Sequence, residues 1–480
     1  MSERYLIFVK QDCPTCELIK PVLHKLLKLN VAFNLYVQDF PENFKNLPTI
    51  DDTKLKDSYR NKIEIVPTVL KVSNGSEIKR IVGWSAEEWA ELFGSQDIAV
   101  GMPELRPGCG SLSVEDRNLE RLTIQFGDKK FASKLHECPE LLDDVELCYE
   151  NMWTDGLPVV PPTRERVYRM LQGTHRNSLE VVGIMPPNNI ECSIEKIAIN
   201  AVMAGCKPEY LPVVISAVEA SLEPAFCLQG LVATTWLSGP MIIVNGPVIN
   251  KIGMNFRGNV LGQGNRPNST IGRALQLIIR NVGGGLPQEV DQATFGTPSK
   301  VGFCFAENEE TPWQNLSQER GIPDGSSCLT LFSADGPIGC VDQTSRCPEK
   351  LLVSIAGSLK IINHFAMTGA SDAVVVIGPE HGRVFDNANW SKEDVKKALH
   401  EVCVVQTATN LGMTTGGLSG TDDKEHQPGH AAPKFRPEGL TLIRAGGDAG
   451  LFSAIIPGWL MNGELGTEPV TKEIEECNFI

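Results

Sequence analysis

The sequence predicts an α/β protein: an N-terminal dithiol domain followed by a large, glycine-rich α/β domain. Three observations carry this expectation. Short apolar runs of strand type alternate with stretches of helical periodicity along the chain. The first of these runs, residues 5–9, feeds Cys13-Pro14-Thr15-Cys16 and then a helical repeat. Finally, 480 residues exceed one ordinary core, and many of the 44 glycines crowd its middle.

Composition narrows the function. Hydrophobic content of 42% and charged content of 21% describe a globular chain. A net charge of −15 argues against a nucleic-acid surface. The opening MSERYLIFVK lacks a basic stretch leading into a long apolar segment, and no run approaches about 18 apolar residues. The expectation is therefore a cytoplasmic protein that meets neither membrane nor nucleic acid. The 14 cysteines are scattered without zinc-ribbon or zinc-finger spacing, so no metal or other cofactor is expected. Most of them read as reduced, buried thiols.

In the first domain, residues 1–96, a strand delivers Cys13 to a helix start, where unpaired backbone N–H groups favour a thiolate. Cys13 is expected to attack, and Cys16, one turn on, to resolve the mixed disulfide. Leu18, Ile19, Val22, Leu23, Leu26 and Leu27 then repeat as a helix, which Pro21 should kink without ending. A strand over 31–37, a helix over 53–60 and a strand over 63–72 follow. Asn74-Gly75 signals a hairpin into 77–82. Ser85 is placed to cap a closing helix over 85–93, with Glu88 three residues later.

This β-α-β-α-β-β-α order, with Cys-Pro-Thr-Cys after the first strand and Val66-Pro67-Thr68 before the hairpin, resembles the thioredoxin and glutaredoxin superfamily. The resemblance implies a redox-active disulfide. It also implies a cis proline at Pro67 facing the dithiol, with the preceding backbone free to hold a substrate cysteine. The Cys-Pro-Thr-Cys motif departs from the Cys-Gly-Pro-Cys of ordinary thioredoxins, which leaves the redox potential and the natural reductant open.

Residues 97–150 read as a connector. Cys109 lies between two glycines, in a loop bounded by proline and close to Arg106, an exposed and flexible placement. An exposed relay thiol and a linker cysteine without a role are equally compatible with it.

The large domain, residues 151–480, opens with Asp155-Gly156 and three prolines, a stiff loop that suits either a substrate or a structural brace, with Thr163 capping a helix. Two apolar helices, 194–204 and 212–222, meet at Cys206 and Glu209, a joint exposed enough for a ligand, though a plain turn fits as well. A buried strand over 241–244 precedes a Gly/Asn-rich stretch that includes Asn265, Arg266 and Arg273. It leads into a helix over 271–281, capped by Ser269 or Thr270. Backbone N–H groups and two arginines there suit an anionic substrate. Glu307, Glu309 and Glu310 follow a strand over 302–306 and read as solvated loop charge, or else as a general base. A strand ending at Glu380-His381 places an acid–base pair where α/β sheets collect ligands. A second strand over 439–444 leads to a helix over 451–456, and residues 416–434 read as a mobile loop.

Residues 151–480 also resemble the large domain of bacterial proteins in which a thioredoxin-like module is fused at the N-terminus. The matching stretches are TDGLPVVPPT, INAVMAGCKPEYLPVV, GRALQLIIRNVGG and AGGDAGLFSAIIPGW. That resemblance implies no activity for the domain.

The expected function is thiol–disulfide oxidoreduction, the dithiol passing electrons to a cysteine or substrate of the large domain. Cys109, Cys206, Cys304 and Cys340 are the candidate recipients. Tethering raises the local dithiol concentration to about millimolar, which favours this reading. The alternatives are a redox-regulated lyase or hydrolase acting on a small anionic substrate, and a binding protein with a thioredoxin-like docking module. Expected partners are a thiol reductant or thiol protein, with a small-molecule substrate and homo-oligomerisation left open.

Overall fold

The computed structural model describes residues 3–73, 76–127, 131–139, 142–370, 372–406, 408–409, 412–413, 431–459 and 466–475. The expected Asn74-Gly75 turn and residues 416–430 of the expected loop lie outside these. The protein is α/β with mixed sheets. The chain divides into two compact units, residues 1–129 and 130–480. The stretch 97–150 is therefore shared between them, its first part belonging to the first unit.

In the first unit the elements run β1 (Glu3–Val9), α1 (Pro14–Lys28), β2 (Phe33–Val37), β3 (Thr49–Asp51), α2 (Lys56–Arg60), β4 (Ile65–Val66), β5 (Thr68–Ser73), β6 (Ser76–Val82), β7 (Trp84–Ser85), α3 (Ala86–Phe93), β8 (Leu105–Arg106), β9 (Cys109–Gly110) and α4 (Asp116–Phe126). The main sheet has the order β3-β2-β1-β5-β6, with β1 parallel to β2 and antiparallel to β5. Helix α1 buries Ile19, Val22, Leu23 and Leu26, the one-face spacing of an amphipathic helix, and carries Pro21 inside it. Ser85 caps α3, its Oγ accepting from Glu88 N at 3.3 Å. The Val66–Pro67 peptide bond is cis.

The second unit begins with α5 (Asp144–Glu150), α6 (Arg164–Met170), the hairpin of β10 (Val181–Met185) and β11 (Ile190–Ser193), and helices α7 (Ile194–Ala204), α8 (Leu211–Leu222) and α9 (Leu228–Ala233). There follow β12 (Gly239–Asn245), α10 (Val248–Ile252), α11 (Arg266–Asn281), β13 (Cys304–Ala306), α12 (Leu316–Glu319) and β14 (Cys328–Ala334). Next come β15 (Ile338–Val341), α13 (Pro348–Ile361), β16 (Ala373–Ile377), α14 (Pro379–Asn387) and α15 (Lys392–Val402). The short strands β17 (Val404–Gln406), β18 (Ala408–Thr409), β19 (Gly412–Met413) and β20 (Ala431–Pro433) precede β21 (Leu440–Arg444), β22 (Phe452–Pro457) and β23 (Val470–Glu473). Two four-stranded sheets result, β13-β12-β14-β23 and β15-β22-β16-β21. Strands β12 and β13 are parallel, as are β16 and β21.

Two expectations need correction. Helix α11 starts at Arg266, not Ile271, because Asn265 is its cap: the Asn265 side chain accepts from Asn268 N at 3.1 Å, and Pro267 sits in the first turn. Ser269 and Thr270 lie inside the helix. Residues 452–457 form strand β22, not a helix. Periodicity alone does not separate a short apolar run in a helix from one in a strand, and here pairing with both β15 and β16 decides it.

Among the described residues no single helix is long and apolar enough to cross a membrane. The apolar helix α8 is buried along nearly all its length in the core of its own unit.

Candidate functional site

The strand-to-helix turn after β1 makes Cys13 the N-cap of α1, and its sulfur accepts from Cys16 N at 3.4 Å. Cys13 Sγ also lies 3.5 Å from Val66 O, which its protonated form can bond. The Cys13 thiol is drawn down from its ordinary value to about 5, chiefly by the hydrogen bond from the Cys16 thiol, with Cys109 contributing in the same direction. Burial opposes these effects but does not outweigh them. Burial instead dominates at Cys16, whose thiol is pushed far up. The two sulfurs thus differ in the sense that exchange chemistry requires, one ionised and one holding its proton. Cys13 is 1% and Cys16 0% exposed.

Both belong to the core of the first unit, and residues 105–110 pack beside Cys13. Strand β9 pairs antiparallel with β4, setting Cys109 opposite Val66, and β8 pairs with β7, setting Arg106 opposite Trp84. Between these pairs, Thr15 Oγ1 donates to Pro107 O at 2.7 Å. Gly108 is required by the close approach: a Cβ there would stand 2.4 Å from Ile65 Cγ2 and 2.5 Å from Val66 O. Beyond β9, Ser111 N donates to Glu64 O at 2.9 Å. Buried Gln38 donates to Ser111 Oγ at 2.6 Å and accepts from Leu112 N at 3.0 Å. The exposed, flexible Cys109 expected from the flanking glycines is therefore corrected. Cys109 is a half-buried residue of a fixed strand, and its thiol is raised through its hydrogen bond to Cys13. Sequence reading missed Thr15, because a threonine within the motif carries no separate signal; the Val66 backbone, expected to be free for a substrate cysteine, is instead paired with Cys109 of the same chain.

The other expected site residues are each occupied within the fold. Asp155 and Arg273 meet each other: Arg273 Nε and Nη2 donate to the two Asp155 oxygens at 2.8 and 2.7 Å, and Nη2 also reaches Pro158 O at 3.0 Å. This clamp ties the proline-rich loop to α11, and it holds the Asp155 carboxyl below its usual range despite burial. Arg266 Nε donates to Gly205 O at 2.9 Å, and Asn265 Nδ2 to Gly253 O at 2.9 Å. These four residues therefore act as braces, not as an open anion pocket.

His381 is 0% exposed, with Nδ1 at 2.8 Å from Ser453 Oγ and Nε2 at 3.1 Å from Asp342 O. Its neighbour Glu380 accepts from Gly450 N at 2.8 Å and faces Arg383. The two side chains do not form an acid–base pair, because helix α14 turns them to different partners. Cys206, Cys304 and Cys340 are buried. Desolvation pushes their thiols up, Cys206 to about 12, which disfavours them as recipients.

Of the three glutamates expected as solvated charge after β13, Glu310 is exposed, Glu309 is partly buried and Glu307 is turned inward. Glu307 is 3% exposed and accepts from Asn245 Nδ2 at 2.7 Å and Leu316 N at 2.8 Å. Lys392 lies 3.9 Å away and pairs with Glu319 at 2.8 Å. Burial lifts the Glu307 carboxyl to about 7, although Lys392 pulls the other way. Among the described residues no group of three or more His, Cys, Asp or Glu side chains is arranged to hold a metal ion. The chain matches no protein-family model and no curated protein.

Proposed function

We propose that residues 1–129 form a thioredoxin-like thiol–disulfide exchange module with a built-in partner cysteine, making the protein an oxidoreductase. Cys13 is the attacking thiolate, Cys16 the resolving thiol and Cys109 the relay. A mixed disulfide between Cys109 and a substrate thiol is attacked at the Cys109 sulfur by Cys13, expelling the substrate thiolate. Cys16 then attacks the Cys13 sulfur and expels Cys109. Two electrons and two protons pass from the Cys13–Cys16 dithiol to the substrate thiol and Cys109, leaving a Cys13–Cys16 disulfide for a thiol reductant to reopen. The observation that carries this reading is the lowered Cys13 thiol beside Cys109, which is held across from Val66. The order of the main sheet and the position of the dithiol on α1 support the thioredoxin-like assignment.

The test uses the full chain. Reduction of dithiobis-nitrobenzoate is expected to be lost in Cys13→Ser, and Cys16→Ser is expected to accumulate a Cys13–Cys109 disulfide visible by peptide mass spectrometry. In Cys109→Ala the thiolate absorbance of Cys13 is expected to titrate above the value of about 5, since one of its stabilising hydrogen bonds is gone. Absence of any thiol turnover would refute the reading, and a Cys13 linked only to external thiols would remove the relay.

A further inference from the structure

The second unit contains a cavity of about 750 Å³, within the size range of small-molecule sites. Two helices turn one face each toward it. Helix α6 contributes Arg164 and Val167, and α7 contributes Lys196, Ile199, Asn200 and Met203, the spacing of side chains that share one side of a helix. Pro161 and Pro162 border it as well, so part of the wall is the stiff loop that opens the domain. Such a wall costs little entropy to order around a ligand.

The neutral polar groups of the wall are largely used within the fold. Asn281 Nδ2 donates to Trp153 O at 2.9 Å and to Asn200 Oδ1 at 2.8 Å, and Asn200 Nδ2 donates to Lys196 O at 2.9 Å. The Glu195 carboxylate accepts from Ala132 N at 2.8 Å and Ser133 N at 3.0 Å, which fastens residues 131–133 to the start of α7. Two cations beside that segment stay open, and neither pairs with a carboxylate among the described residues. Half-buried Lys196 donates through Nζ to Glu191 O at 2.8 Å, which leaves two of its three N–H groups. Arg164 lies with Cζ 5.2 Å from the centroid of the Phe131 ring. Its Nε is enclosed, so its outer Nη groups are what a ligand meets.

In the whole lining Lys134, Arg164 and Lys196 stand against Asp144 and Glu195, three cations to two carboxylates. The excess is one positive charge, which matches a monoanion better than an amine or a phosphate dianion. Phe131, Trp153, Ile199 and Met203 belong to the domain core or pack against it, and they make the rest of the wall apolar. We infer that this cavity binds an amphiphilic monoanion, a carboxylate carried on an apolar chain. The carboxylate accepts from Lys196 Nζ and the Arg164 Nη groups at the end bordered by residues 131–133, and the chain lies against Trp153, Ile199 and Met203. The site lies within residues 130–480 and needs none of the thiols of residues 1–129, so its failure would leave the exchange reading untouched.

Hexanoate, octanoate, 1-octanol and octylammonium are titrated into the intact protein by calorimetry and ligand-observed NMR. Saturable binding of octanoate is expected, about tenfold or more tighter than octanol or octylammonium. Octanoate should also bind about tenfold or more tighter than hexanoate, since each buried methylene contributes about fourfold. Lys196→Met and Arg164→Met should each weaken octanoate about tenfold and leave octanol unchanged. Lys196→Met replaces a half-buried side chain with one of similar length, and it keeps the test open if Arg164→Met, which loses its place over Phe131, proves unstable. The inference is overturned if octanoate does not saturate, or if octanol or octylammonium binds as tightly. It is equally overturned if the two acids bind alike, or if Lys196→Met leaves the affinity for octanoate unchanged.

Discussion

At the scale of single residues, burial decides what each titratable group does, and Glu307 is the clearest case. Its carboxyl is lifted to about 7 in the folded protein, chiefly by desolvation, from an ordinary 4.5. The folded state therefore holds the proton more tightly than the unfolded chain. The sign follows from proton linkage: between about pH 4.5 and about 7 the unfolded chain loses its proton first, so stability falls as pH rises through that window. The loss amounts to up to about 3 kcal/mol. In Glu307→Gln the amide oxygen can still accept from Asn245 and Leu316, so the variant should lose most of this slope and be the more stable form above neutrality. Urea midpoints measured across the window check it, and parallel profiles for the two proteins would remove Glu307 as the cause. None of this was legible in the sequence, where Glu307-Asn308-Glu309-Glu310 looks like surface charge. Which of three glutamates is turned inward depends on β12 and α15, far away in the chain. His381 carries the same lesson in reverse. A histidine at a strand end looked catalytic, and the fold spends both ring nitrogens on Ser453 and Asp342.

At the scale of elements, the segment 105–110 defines the thiol site. Its cysteine and glycines are legible in the sequence but its pairing is not, because two-residue strands such as β8 and β9 have no periodicity to read. Its seat can be tested at Gly108. A methyl group there would collide with the Val66 carbonyl, a backbone atom that cannot swing aside. Gly108→Ala should therefore cost about 1–3 kcal/mol in a urea titration. It should also raise the Cys13 titration, by shifting Cys109. An unchanged midpoint together with an unchanged titration would show that the strand is not held as tightly as its contacts imply. Longer elements were legible. The apolar spacings of α1, α7 and α8, and the capping of α3 by Ser85, are local signals that the fold keeps. The start of α11 is not legible in the sequence, because two competing caps, Ser269 and Thr270, stand inside a helix that Asn265 and Pro267 open.

At the scale of the whole molecule, each unit has its own buried core. Leu23 belongs to the core of residues 1–129, and Ile278 to the largest of those in residues 130–480. Both side chains are fully buried, so truncation to alanine should cost about 2–5 kcal/mol each, and the cost should fall on different transitions. Scanning calorimetry is expected to resolve two transitions, with Leu23→Ala lowering one and Ile278→Ala the other. A single transition lowered by both variants would contradict separate cores. The sequence by itself determined the α/β class, the dithiol at a helix start and the long amphipathic helices, because those depend on residues within a few positions of one another. The tertiary structure alone decided which charges are buried, that Asp155 closes on Arg273, and that Cys109 lies against Cys13. Those outcomes join residues tens to hundreds of positions apart, and at that separation packing, not local spacing, sets the environment of a side chain.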